Sequence, residues 1–433
     1  MKSYDVVIIG GGPSGSSLGY ILEKAGISTC IIDRAAFPRK KLCGGLITEK
    51  TTKLINEIYK DEYKSFYDAL TLREDIDNEA LAHVREHECA LNDDEEVDEG
   101  KDEEDNRYRE YVAFPTERAT KKINLYLNDN YHEDKEQSSV RTKSIFYLVD
   151  REKFDYHFIL NYQKAGGHLY ESCTVKKYGT NQLILSNGDV ISFKVLAGAD
   201  GANSEVRKKV DPVYRPNALC LEFNKYSTNI ETSICVYFSA EPSGYAWCFP
   251  KSDLYTIGIG APVNRNKNLK QSFMRFCKSI GQEDDPQKIT GAMIPFGKYV
   301  KHPCKDNIIL VGDAAGLVDP ITGEGLYFAF RSSQLAARAI MKNIDTGCKL
   351  DEVYYKQIIE LQKIIRNANL FKALLFNGFN RKYFLGRIGG KFHITRYFIK
   401  NILANYRMTY MDLVKNYSKN RRERHKRERW ETK

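Results

Sequence analysis

The chain has 433 residues, of which 42% are hydrophobic and 28% charged, and it carries a formal net charge of +9. This excludes a disordered or fibrous protein and allows two or three domains with a sizeable core. No stretch reaches the roughly 18 to 20 uncharged apolar residues that a spanning helix requires, so any membrane contact is expected to be peripheral.

The apolar start at Val6–Ile9 runs into glycines, with no basic leader or small-residue cleavage site. A signal peptide is therefore not expected, and a cytoplasmic protein is. Ten cysteines are scattered without a C-x-x-C pair or zinc spacing, which fits a reducing compartment and predicts no structural metal.

In chain order, Tyr4–Ile9 reads as a buried parallel strand, followed by Gly10-Gly11-Gly12-Pro13-Ser14-Gly15 and a helix over Ser16–Lys24. Gly10 permits a tight turn, Gly12 lets backbone approach a pyrophosphate, and Gly15 lets helix and strand close together. Beside them stands Ser14, at a helix N-terminus that attracts phosphate. A second strand, Thr29–Ile32, ends in Asp33, placed to accept hydrogen bonds from an adenosine ribose. A dinucleotide site is predicted.

From Glu86 to Asp105, twelve acids stand against Lys101 alone, so this segment is expected to be a solvated insertion. A further strand, Val195–Asp200, leads into Gly201 and a short helix. Another, Asn307–Val311, leads into Gly312-Asp313-Ala314-Ala315-Gly316, then Thr322-Gly323-Glu324-Gly325 and a helix from Leu326. Helical periodicity runs over Leu326–Met341 and Val353–Leu375. From Gly378 onward, sixteen Lys and Arg stand against four acids, interleaved with aromatic and aliphatic residues. Two readings of that region stand: a helix on an anionic membrane surface, or a helix packed on its own protein with a basic tail. Nucleic acid is not expected as a partner, because no recognition motif accompanies the basic run.

The three strand-end motifs together resemble the glutathione-reductase-type FAD fold of the flavoprotein hydroxylases. Two more segments, Pro38-Arg39-Lys40-Lys41-Leu42-Cys43-Gly44-Gly45 and Tyr245-Ala246-Trp247-Cys248-Phe249-Pro250-Lys251 with Gly258-Ile259-Gly260, resemble the signatures of the geranylgeranyl reductase family. Members of that family hydrogenate isolated double bonds of polyprenyl chains.

The resemblance implies FAD as cofactor, held by Gly10, Gly12, Ser14, Gly15, Asp33, Arg34, Cys43, Gly44, Gly45, Arg151, Asp200, Gly312, Asp313, Gly323 and Gly325. Asp313 would hold the ribityl chain. The amides near Gly323–Gly325 would face the pyrimidine end of the flavin and stabilise its negative charge when reduced. Tyr245, Trp247 and Phe249 would line an apolar substrate slot, unless that alternating face is only core.

The chemistry couples hydride delivery from the flavin with protonation of the second carbon, in a dry pocket. Cys43 and Tyr245 are the candidate proton relays. Lys251, with Lys40 and Lys41, is the candidate contact for a phosphorylated head group. Electrons would come from NADPH or a ferredoxin-like protein, since no second glycine motif marks a nicotinamide domain. The alternative functions are an FAD-dependent monooxygenase acting on an apolar substrate and an electron-transfer flavoprotein docking at a membrane. A halogenase is disfavoured by the lack of a W-x-W-x-I-P segment, and a cluster-bearing relay by the cysteine spacing.

The expected fold is α/β (α+β overall): a Rossmann-like FAD-binding domain (1–75, 145–205 and 298–345), an inserted antiparallel-sheet substrate domain (76–144 and 206–297), and a C-terminal helical region (346–433).

Overall fold

The computed structural model describes residues 2–62, 114–126, 137–231, 233–238, 240–241, 243–282 and 286–376, together with residue 415. The acidic stretch 86–105 and, residue 415 apart, the basic stretch from Gly378 lie outside the described residues.

Two eight-stranded sheets organise the chain. In the first, the strand order is Cys304–Lys305, Ile308–Leu310, Val190–Gly198, Lys2–Ile9, Thr29–Ile32 and His168–Tyr170, with a hairpin of Val175–Tyr178 and Gln182–Leu185 joined to Val190–Gly198. The pairings around Lys2–Ile9 are parallel. That strand lies inside the sheet, so Val6, Val7 and Ile8 are all buried and the apolar run does not alternate. The helices Pro13–Lys24, Arg151–Lys164 and Leu326–Thr346 pack together, and Leu350–Phe376 packs on the last of them. One tie is the Ser333 hydroxyl, which donates to the Ser14 carbonyl at 2.7 Å.

The second sheet runs in the order Thr290–Ile294, Ala218–Tyr226, Leu254–Pro262, Tyr245–Pro250, Ile234–Tyr237, Arg118–Tyr126, Gln137–Leu148 and Leu46–Ile47. Its pairings are antiparallel except between Ile234–Tyr237 and Arg118–Tyr126. Alternation now has a purpose: one face buries Leu221, Phe223, Ala246, Cys248, Ile257 and Ile259 against Phe273, Phe276 and Cys277 of helix Leu269–Ser279. The opposite face turns toward the first sheet.

The element boundaries differ from the expected ones at two places. Leu46–Ile47 pairs with Gln137–Leu148 in the second sheet, so the chain first crosses between sheets directly after the glycines at 44 and 45. It returns after Leu148, not before residue 145, because the long strand ending there pairs with Arg118–Tyr126 as far as Leu148, across a register shift between Thr120 and Lys122.

Candidate active site

Strand Lys2–Ile9 ends at Gly10, and helix Pro13–Lys24 begins with Gly12 as its N-cap. A Cβ on Gly15 would run into the Gly10 carbonyl, so only glycine allows this approach of helix to strand. The helix has neither a side-chain cap nor an acid in its first turn, which leaves its positive end available to an anion. Asp33 is buried at the tip of the neighbouring strand. Its Oδ2 accepts the Gly11 N–H at 2.7 Å and its Oδ1 the Ala35 N–H at 2.9 Å.

Arg34 is exposed. The guanidinium beside Asp33 belongs to Arg39, whose Nε lies 3.8 Å from Asp33 Oδ2 and whose Nη1 lies 3.4 Å from Asp155 Oδ2. Buried Arg151 holds the same Asp155 with two hydrogen bonds of 2.8 and 3.1 Å. Asp155 is therefore shared by two arginines from separate segments.

Two further strand tips meet this one. Beyond Val190–Gly198, Asp200 Oδ2 accepts the Glu205 and Val206 amides at 2.7 and 3.2 Å, while its buried Oδ1 has no hydrogen-bond partner among the described residues. Arg207 clips this turn to the next, donating to the carbonyls of Ala202 at 2.5 Å and Ala314 at 3.2 Å. Gly312 opens the second turn, with its N–H held by Ser332 Oγ at 2.9 Å. Burial raises the Asp313 carboxyl above its ordinary range, against the pull of Lys41, Arg151 and Arg207. Asp313 Oδ1 faces Gly325, the N-cap of helix Leu326–Thr346, which likewise has no side-chain cap and no acid in its first turn.

The loop before that helix is held from three sides. Asp319 Oδ1 accepts the Ile321 and Thr322 amides, both at 2.8 Å. Glu324 accepts from Thr48 at 2.6 Å and Thr51 at 2.9 Å and pairs with Lys50. The Tyr245 hydroxyl, from the second sheet, donates to the Thr322 carbonyl.

Between the sheets lies a predominantly apolar cavity of about 240 Å³. One wall is Lys41–Gly45 and Ile321–Leu326; the other, from the second sheet, includes Leu46, Ile234, Val236, Tyr245, Trp247, Phe249 and Ile294. Cross-strand register builds the aromatic part, since Gly260 stands opposite Tyr245 and Gly258 opposite Trp247. A Cβ on Gly258 would overlap the Trp247 indole, which spreads over the neighbouring strand because that side chain is missing. Gly44 plays the same part across the cavity: a Cβ there would come within 2.7 Å of the Phe249 ring. Gly45, at φ +77°, abuts the Val149 carbonyl, and Gly323 lies against the Tyr245 hydroxyl.

The polar groups of the cavity differ from those expected. Burial pushes the Tyr245 hydroxyl well above its ordinary value, and that hydroxyl is committed to Thr322, so it is a poor proton source. Lys251 is only 7% exposed, too deep for a head group, because its segment folds under Gly45. Lys40 and Lys41 are exposed, and Lys41 borders the cavity.

Glu222 was not foreseen. It stands opposite Gly258 in the row that holds Trp247, it borders the cavity, and its Oε2 has no hydrogen-bond partner among the described residues. Burial raises its carboxyl to about 7, while Lys251, the Cys43 amide, the Trp247 indole and Arg151 pull the other way. The sequence signal was an acid alternating with Leu221 and Phe223, a pattern that reads equally as a solvated strand face.

Gly258→Val is expected to displace the indole, fill part of the cavity and cost about 1–3 kcal/mol through overpacking. Thermal unfolding together with the emission of Trp247, one of two tryptophans, checks this.

A family profile described as an FAD binding domain matches residues 3–60. An uncharacterised protein of Methanosarcina barkeri is 26% identical over 379 residues, covering 84% of this chain and 82% of that one. A digeranylgeranylglycerophospholipid reductase of Thermoplasma acidophilum is 25% identical over 370 residues, covering 80% of each chain. In three dimensions, a geranylgeranyl bacteriochlorophyll reductase-like protein of Thermoplasma acidophilum matches with a TM-score of 0.67 at 20% identity, over 97% of this chain and 99% of that one. That last likeness concerns the fold. Over most of its length, the chain is similar to geranylgeranyl reductases, and it is built on the fold of the FAD-dependent oxidoreductases.

Proposed function

We propose that the protein is an FAD-dependent reductase that adds hydrogen across isolated double bonds of polyprenyl groups of the geranylgeranyl type. The observation that carries this reading is the cavity whose aromatic wall of Tyr245, Trp247 and Phe249 faces the uncapped start of helix Leu326–Thr346. The described residues fit FAD. Two helix starts are free of caps and first-turn acids, and nothing in the described residues hydrogen-bonds the recessed Asp313 carboxylate.

Bound FAD supplies a hydride once a donor has loaded it with two electrons. The donor is NADPH, visiting transiently, or a ferredoxin-like protein. Asp313 would hold the ribityl chain, and the Gly323–Gly325 amides, whose loop Asp319, Glu324 and Tyr245 fix, would stabilise negative charge on the reduced ring. Gly44 and Gly45 would let backbone approach the ring. Trp247 and Phe249 hold the prenyl chain and exclude water, which an unactivated alkene requires because stray protons and oxygen would intercept the reducing equivalents. Lys41 meets a phosphorylated head group at the cavity rim. The basic segment from Gly378 brings the chain to an anionic lipid surface where such substrates reside.

Oxygen-free incubation of the reduced protein with a geranylgeranyl compound should yield product heavier by two hydrogens per double bond; gain of one oxygen, in air only, would establish the monooxygenase instead. Asp313→Ala should fold but lose most of its flavin absorbance, and a full flavin spectrum would remove the ribityl contact. Flotation with anionic vesicles should drop severalfold on truncation before Gly378, and unchanged binding would remove the membrane role.

A further inference from the structure

We propose that Glu222 is the acid that protonates the alkene during this reduction. The proposal rests on the reductase reading. It starts from a position that structural roles do not explain. Glu222 is 6% exposed, borders an apolar cavity, and keeps Oε2 without a hydrogen-bond partner among the described residues. A buried carboxyl left in that state is costly to the fold unless it has other work. Two other buried acids that flank the site are ion-paired: Asp155 with Arg151 and Arg39, and Glu324, which also accepts from Thr48 and Thr51, with Lys50.

The groups around Glu222 suit an acid that must release a proton and recover it. Lys251 and Arg151 supply positive charge, the Cys43 amide and Trp247 indole face the carboxyl, and the Cys220 thiol stands two residues away on the same strand face. Burial nonetheless dominates and lifts the carboxyl to about 7, where it is substantially protonated at neutral pH and still a competent acid. The other candidates are weaker. Burial pushes the Cys220 thiol up to about 12, and the Tyr245 hydroxyl is raised further and bonded to Thr322.

The step balances. As the π bond breaks, its electron pair takes the proton from the Glu222 carboxyl at one carbon, and the other carbon takes a hydride with its two electrons from reduced flavin. Two C–H bonds form, the flavin is oxidised by two electrons, and Glu222 is left as a carboxylate beside Lys251 and Arg151 until solvent returns its proton. Supplying the proton as the hydride arrives avoids the free carbanion that an isolated alkene cannot stabilise.

The test uses the FAD-loaded full chain as wild type, Glu222→Gln, Glu222→Asp and Cys43→Ala. Without oxygen, each chemically reduced protein is mixed with a geranylgeranyl compound across a pH series. Wild-type single-turnover rates should fall as pH rises through about 7, because the protonated carboxyl is the active form. Glu222→Gln should keep its flavin spectrum yet react about 10²-fold or more slowly without that limb, and Glu222→Asp should regain part of both. A readout independent of turnover is infrared difference spectroscopy of the oxidised protein. A carboxylic C=O band should vanish as pH rises through the same range in wild type and be absent from Glu222→Gln. Glu222→Gln reacting at the wild-type rate with the limb intact, the limb disappearing in Cys43→Ala instead, or a missing carboxyl band would each overturn the assignment. A wild-type protein that hydrogenates no prenyl compound would fail earlier, at the reductase reading itself.

Discussion

The cavity depends on how closely two sheets approach through positions that lack side chains. Gly44 lets the chain lie against Phe249, and Gly258 lets Trp247 spread across the adjacent strand. A side chain at either position would force the aromatic wall and the Cys43–Leu46 segment apart. The result is a predominantly apolar slot with rings on one side and backbone on the other, and with Glu222 among its few polar groups. Such walls suit a long apolar chain next to a flat cofactor, because most of their surface offers dispersion contact.

Around this slot, charge is handled in two ways. Where a carboxylate ties two segments together, it is ion-paired. Asp155 joins the loop of Arg39 to the helix of Arg151, and Glu324 fastens the loop before Leu326 to the helix Glu49–Ile58. Removing one partner from such a buried pair is strongly destabilising, so these contacts hold the loops rigidly. Asp313 and Glu222 are treated otherwise. Burial raises both carboxyls above their ordinary range, and Glu222 Oε2 has no hydrogen-bond partner among the described residues. A desolvated acid in a cleft, opposed by nearby positive charge, is a candidate for holding a ligand or moving a proton.

Local geometry explains why part of the site was legible. Strand, glycine turn, helix and following acid are contiguous and follow backbone rules, so Gly10, Gly15 and Asp33 could be placed from spacing alone. The Tyr-x-Trp-x-Phe segment also read as one strand face, and the spacing to Gly258 and Gly260 becomes intelligible once the hairpin register sets each glycine opposite a ring. Arg34 and Arg39 could not be told apart in this way. Which of the two reaches Asp33 depends on how the chain turns after Phe37, and the turn brings back the more distant residue.

The amino-acid sequence by itself determined the strand-tip motifs, the α/β class and the alternating faces of the second sheet, because these arise from neighbours along the chain. Tertiary structure alone decided which alternating face meets a cavity and which meets the helix Leu269–Ser279. That choice turned Glu222 inward as an incompletely partnered acid, drew Lys251 under Gly45, and bound the Tyr245 hydroxyl to Thr322, 77 residues away. A period of two specifies that the faces differ, but only the packing of one sheet on another specifies what each face touches, and burial then sets the acidity of whatever it finds there.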